Sequence, residues 1–251
     1  MNSIVIRKAV IFICIAFATN TSEAQSSIPK YEFGIMGGAF IYQGDLAPSD
    51  AGSYQFLKPS WQIFVSKIWN ENFSARINIA RGSINGDDAR YATPAWRQTR
   101  NFNFNTTITE ISGSLVCNFP RYNSDGTTKK LATYVFGGAG ISILNVQRDW
   151  SKLNTASLDP KSSLLAGLAI DTAHSTPKVI PVIPLGAGIR YAVTHNLSVA
   201  AEFTYRLTFT DYLDGFSKSA DPAKKDFYYG YSVGLIYSLF NDGIKCPKVK
   251  R

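Results

Sequence analysis

Hydrophobic and polar residues alternate with period two over long stretches of this chain. Between 197 and 211 the odd positions hold Leu197, Val199, Ala201, Phe203, Tyr205, Leu207 and Phe209, and the even ones Ser198, Ala200, Glu202, Thr204, Arg206, Thr208 and Thr210. Such a run exceeds the usual ~5–6 residue strand of a soluble sheet and meets the ~9–11 residues that a tilted strand needs to cross a bilayer. The same alternation, broken by turn residues, predicts eight strands at 31–45, 59–69, 73–84, 102–119, 131–144, 182–193, 197–212 and 226–240. The segment 162–170 is apolar and invites a ninth strand. Bacterial single-chain barrels have even strand numbers, so it is read instead as a folded loop piece over the barrel rim.

The connections after the first, third, fifth and seventh strands are long, and 145–178 is the longest. Those after the second and sixth, 70–72 and 194–196, are tight turns, and 120–130 is intermediate. Alternating short and long links are the pattern of an outer-membrane barrel with periplasmic turns and extracellular loops, which puts both termini in the periplasm. Expected fold: an all-β, eight-stranded antiparallel transmembrane barrel whose lumen is filled by side chains.

The start of the chain has the parts of a secretory signal: Arg7 and Lys8, an apolar run over 9–18, and Ser22-Glu23-Ala24 before a mature start at Gln25. The expected organisation is a signal peptide at 1–24, a barrel at 25–240 and a basic periplasmic tail at 241–251. Removing the signal lowers the formal charge from +8 to +7. An exported basic chain meets anionic headgroups or acidic partners, not nucleic acid. Cys14 leaves with the signal, so Cys117 and Cys246 remain. Two cysteines and two distant histidines make no metal site, and no cofactor is expected.

The inward list contains Arg76, Glu110, Arg190, Glu202 and Arg206, among Gly186, Gly188, Ser198 and Thr204 that leave room for long side chains. Charges in a closed barrel persist only when paired, so Glu110 and Glu202 are expected to bridge to these arginines. A soluble, lipocalin-like barrel is disfavoured, because it would place these arginines outside. Catalysis is not expected: His174 beside Ser175 lies in a loop, His195 lies in a turn, and adjacency in sequence does not build a triad. The glycine runs 37–38 and 137–140 lack the strand-to-helix context of a phosphate loop and suit tight barrel curvature. The tail holds Cys246-Pro247 among Lys245, Lys248, Lys250 and Arg251. It reads either as a frayed basic end beside lipid headgroups or as a periplasmic hook. Cys117 points outward on a distant strand, so for the Cys246 thiol a disulfide to another protein is the favoured reading.

Gly186-Ala187-Gly188-Ile189-Arg190-Tyr191, Glu202, and the run Arg206 to Asp214 with Asp211, Tyr212, Leu213 and Asp214 resemble the closing half of PorG-type proteins. These are outer-membrane barrels of the Bacteroidetes type IX secretion system. Gly44, Asp45 and Leu46 and the Cys246-Pro247 pair look like landmarks of the same family, and the resemblance extends over nearly all of the mature chain. It implies a non-enzymatic part in protein export, with periplasmic ring proteins of the PorK/PorN type as partners. Ser232, Gly234, Tyr237 and Leu239 on the last strand also look like the signal read by the barrel-assembly machinery. The rival expectation is an adhesin or envelope-structural barrel acting through loops 85–101 and 145–178.

Overall fold

The computed structural model describes residues 29–49, 51–54, 57–119, 130–159, 162–220 and 225–240. The expected signal segment 1–24, Cys246 and the expected tail 241–251 lie outside them. Eight strands form the wall: β1 (Pro29–Gln43), β2 (Lys58–Ile68), β3 (Phe73–Asp87), β4 (Asn103–Asn118), β5 (Leu131–Asp149), β6 (Val179–Ala192), β7 (Leu197–Thr208) and β8 (Phe227–Phe240). Each pairs antiparallel with its neighbour in sequence, and β8 returns to β1 to close the barrel. Closure leaves no open sheet edge along the apolar belt, which is what allows strands to sit in hydrocarbon.

The outer face is apolar. Ile35 is 61% exposed and Ile77 is 67% exposed, with Phe33, Ile63, Leu115, Val233 and Leu235 also bare. The inner face carries the charges, and Arg76, Glu110, Arg190, Glu202 and Arg206 are all buried. Water as solvent would favour the reverse; hydrocarbon favours this arrangement. Among the described residues no helix is long and apolar enough to cross a membrane.

Several strand ends differ from expectation. β3 continues to Asp87 and β5 to Asp149, past the expected ends at 84 and 144, while β7 stops at Thr208 instead of 212. Outward residues turn polar at Asn85, Asn145 and Gln147, which ends the membrane pattern without ending the strands. The expected ninth-strand rival is a helix: α2 (Ser163–Ala173), packed over the loop end. A shorter helix, α1 (Trp96–Arg100), follows a 3-10 turn at Asp88–Arg90 inside the connection read as the long loop 85–101.

The interior is layered along the barrel axis. Near the loop end an apolar cluster joins Phe40, Ile84, Phe104 and Leu144 on the wall with Leu46, Leu213 and Phe216 from the long connections. Below it lies the charged half. Gly186 and Gly188, expected to make room for the arginines, instead face aromatic rings: a Cβ on Gly188 would run into Tyr134, and one on Gly186 into Phe136. Cys117 is a free thiol facing outward, paired across the sheet with Phe73 and Val135.

Candidate functional site

Period-two alternation turns the charged residues inward, and the register sets which of them meet. Arg76 Nη1 donates to Glu202 Oε1 at 2.6 Å, and Arg206 Nε donates to Glu110 Oε2 at 2.6 Å. Arg190 does not reach either of those glutamates. It forms a two-pronged pair with Glu32, at 2.7 and 3.2 Å, near the end where the termini leave the barrel. Glu32 belongs to the inward face of β1 and was absent from the expected set.

Further donors surround each carboxylate. Tyr134 Oη and Gln62 Nε2 donate to Glu202 at 2.7 and 2.9 Å, and Ser112 Oγ and Tyr228 Oη donate to Glu110 at 2.9 and 3.2 Å. Ser238 Oγ donates to Glu32 at 3.0 Å. The guanidinium of Arg76 lies 3.8 Å from the Phe64 ring centroid, and that of Arg206 lies 4.6 Å from the Phe40 centroid. Arginine's planar, weakly hydrated head suits this double use of charge and face. The voids beside these groups hold only about 10 Å³ each, so the lumen is packed where the ion pairs stand. A cavity of that size admits a single water at most.

At the loop end the two motifs that carry the family resemblance converge. Tyr42 Oη, on β1 just before Gly44, lies 2.8 Å from Asp214 Oδ2 and 2.7 Å from Asp226 Oδ1. One phenolic proton cannot serve two carboxylates, so the trio must hold a second proton. The chemistry agrees: burial pushes Asp214 up to about 8, with Asp45 adding to the rise, and burial followed by Asp214 raises Asp226 well above the carboxylate range. A Cβ on Gly44 would strike Asp226 and Tyr42, so the backbone must be bare there. Leu46 and Leu213 are fully buried in the apolar cluster, and Thr106 Oγ1 donates to the Leu213 carbonyl at 2.6 Å. Asp211 accepts a hydrogen bond from Ser217 Oγ at 2.6 Å, and Tyr212 stacks on His174 with centroids 4.4 Å apart.

A pH dependence follows from the raised pair. The folded chain keeps protons on Asp214 and Asp226 where the unfolded chain, with an aspartate value of about 3.9, releases them. The contribution of Asp214 is therefore most favourable below about pH 4 and is lost as pH rises through about 8, and Asp226, raised by the same burial, acts in the same direction. Amide hydrogen exchange at the loop end should quicken over that window, beyond the intrinsic pH effect, and Asp214→Asn should flatten the response.

Two clusters were missed because they sit in segments without periodicity. Asp88, fully buried, accepts from Arg100 Nε at 2.6 Å and Nη2 at 2.9 Å, and from Arg97 Nη1 at 3.4 Å. Arg97 also donates to the carbonyls of Leu46 and Ala47 at 3.2 and 2.6 Å, which ties α1 to the first long connection. Burial lowers the basicity of Arg97, and Asp88 opposes that effect. The second hub is Asp171 on α2, which accepts from the backbone N–H groups of Ser217, Lys218 and Ser219 at 3.1, 3.0 and 2.8 Å. Burial works against its charge, but Ser219 and these backbone donors more than offset it and hold the carboxyl below its usual range. Gly167 lets α2 lie flush here, since a Cβ would collide with the Lys218 carbonyl.

Together the four long connections build a cap with a cleft of about 670 Å³, lined by Asp45, Pro48, Trp96, Arg97, Ser163 and Lys218 among others. His174 lies on this cap, and His195 lies at the opposite end, stacked on Phe240 with centroids 4.0 Å apart. Neither is held against a serine and a carboxylate in the manner of a triad. Among the described residues no cluster of metal-ligating side chains occurs.

No curated protein matches the sequence. Among solved structures, Neisserial surface protein A is similar with a TM-score of 0.47 at 14% identity, covering 84% of this chain and 97% of that one. The attachment invasion locus protein Ail of Yersinia pestis gives 0.41 at 12% identity, covering 83% and 98%. The outer membrane enzyme PagL gives 0.39 at 11% identity, covering 83% and 99%. The family profile of DUF6089, a domain of unknown function, matches residues 7–234, and the chain belongs to that family.

Proposed function

We propose that this protein is a non-enzymatic outer-membrane component of a type IX-like export apparatus. In this reading it is held in lipid by its barrel and contacts a periplasmic ring through the end that bears its termini. The observation that carries the reading is the packed lumen: with three buried ion pairs and voids of about 10 Å³, the barrel is not a conduit, so its work falls to its two ends. The resemblance of residues 206–214 and 44–46 to PorG-type proteins supplies the direction, and the basic tail supplies a handle for acidic or thiol-bearing partners. Affinity purification of the native protein from detergent-solubilised envelopes tests it. Ring subunits of the PorK/PorN type should co-purify, and Cys246→Ser should reduce their recovery if the tail bond exists. Reproducible recovery of the bare barrel under gentle conditions contradicts the proposal.

One observation favours a second reading, an extracellular binding role. The cleft at the loop end draws residues from all four long connections and is about 670 Å³ in volume. Replacing α2 by a short flexible linker would abolish such a role and leave ring recovery unchanged.

A further inference from the structure

The barrel wall is uneven in height. One row of outward positions runs Trp61, Arg81, Thr109, Ile143 and Val179 across β2 to β6. Below this row the outward residues are apolar, with Ile79, Ile111 and Ile141 next in line. On β6 the wall ends at Val179. On β3, β4 and β5 it continues through three more rows: Ser83 with Thr107 and Asn145, Asn85 with Asn105 and Gln147, then Asp87 with Asn103 and Asp149. At ~3.3 Å per residue and a tilt of ~40°, six residues from Arg81 to Asp87 raise this panel by roughly 15 Å above the apolar belt.

Cations stand at its foot and along its side. Arg81, at the foot, is exposed and donates to Thr109 Oγ1 at 3.0 Å, while Lys58, three residues before Trp61 on β2, and Arg90 are exposed higher up. Among the described residues neither Lys58 nor Arg81 has an ion-pair partner, whereas both carboxylates of the panel are engaged. Asp87 caps the Ala89 N–H at 3.0 Å, and Asp149 accepts from Ser151 N at 2.8 Å. A hollow of about 630 Å³ opens on the panel, lined by Lys58, Asn85, Asp87, Arg90, Asn103 and Asn105.

We infer that this panel is a binding surface for the phosphorylated saccharide headgroup of an outer-leaflet glycolipid, of the lipopolysaccharide kind. Acyl chains lying along Ile77, Ile79 and Ile111 place their headgroup at the row of Arg81. A phosphate there meets Arg81, a second one higher on the saccharide meets Lys58 in the hollow, and the sugars meet the amide and hydroxyl rows, which offer both donors and acceptors. Charge recognition at the foot and polar recognition above it separate such a lipid from a simple anionic phospholipid, whose headgroup is too short to climb the panel. The inference rests on the loop end being extracellular.

The test uses the purified full-length barrel in detergent micelles, with retention of labelled lipopolysaccharide as the readout. The wild-type protein should retain it, and phosphatidylglycerol vesicles should compete poorly. Loss of two charge-assisted contacts in a Lys58→Glu/Arg81→Glu variant should weaken retention by roughly tenfold or more, while Lys58→Arg/Arg81→Lys should bind nearly as the wild type does. Both positions are exposed, and heat-modifiable migration checks that each variant is folded. Unchanged retention by the charge-reversed variant, or competition by phosphatidylglycerol as effective as that by lipopolysaccharide, overturns the assignment. Labelling of an Asn85→Cys variant in intact cells by an impermeant maleimide tests the orientation separately. Strong labelling places the panel outside, and its absence overturns the inference whatever the micelle result.

Discussion

Replacing Glu202 by Ala is expected to lower the unfolding free energy of the barrel by about 3–5 kcal/mol, the cost of leaving one partner of a buried ion pair alone. Arg76 would lose its contact at 2.6 Å, and its Nε already lacks a hydrogen-bond partner in the intact protein. The ring contacts with Phe64, Phe136 and Tyr134 would remain, but a ring face does not replace a carboxylate. Tyr134 and Gln62 would each lose an acceptor as well. An Arg76→Leu/Glu202→Leu variant should recover a substantial part of the loss, since removing both charges abolishes the desolvation problem instead of exposing it. Recovery should stop short of wild type, because the stranded Tyr134 hydroxyl costs about 1–3 kcal/mol, whereas Gln62 keeps Ser232 Oγ as an acceptor at 3.1 Å. Urea titration of the protein refolded into lipid measures all three. A single variant within 1 kcal/mol of wild type would mean that water reaches Arg76, against the packing described above.

The second large effect comes from the opposite face. Ile77→Arg should destabilise the inserted barrel by about 2–4 kcal/mol, the midplane cost of arginine on a lipid-facing strand. Ile77 is 67% exposed and lies midway between the start of β3 at Phe73 and Arg81. An equally exposed isoleucine on a water-soluble protein would accept arginine within about 0.5 kcal/mol. Asn105→Arg, on the panel above the belt, serves as the control and should be nearly neutral. The same titration applies, and equal effects at the two positions would place Ile77 in water.

Much of this architecture was legible from alternation alone, because a period of two assigns each side chain to a face with no knowledge of its neighbours. Strand number, closure order and the inward set follow from it. What alternation omits is height along the axis, and so it did not find that Arg190 meets Glu32. That pairing depends on how β1 and β6, three strands apart around the closed wall, sit at the same depth. Strand ends escaped for a related reason: Asn145, Gln147 and Asp149 look like a loop when polarity is taken to mean the end of a strand, yet β5 continues beyond the hydrocarbon.

The helix α2 left a signal that went unused. Its sequence is rich in Leu and Ala, good helix formers, and Ser162 caps it by accepting from Leu165 N at 3.5 Å. The Asp88 cluster left none, since its arginines sit on a five-residue helix whose placement depends on contacts with Leu46 and Ala47. The family-like runs at 44–46 and 211–214 were visible as words in the sequence, but their meeting through Tyr42 and Asp226 was not. That meeting gives the words a physical content: they plug the loop end of the barrel.

The most direct measurement places nitroxide labels on the outer wall of the protein reconstituted in lipid. Cysteines introduced at Ile77, Ile111 and Leu235, with Cys117 and Cys246 replaced by serine, carry the labels. Apolar oxygen should relax all three strongly and a water-soluble nickel complex weakly, with the ranking reversed for a label at Asn105. Ready access of the nickel complex to Ile77 and Leu235 would mean that the greasy side of the cylinder is wetted, and the membrane assignment would fail.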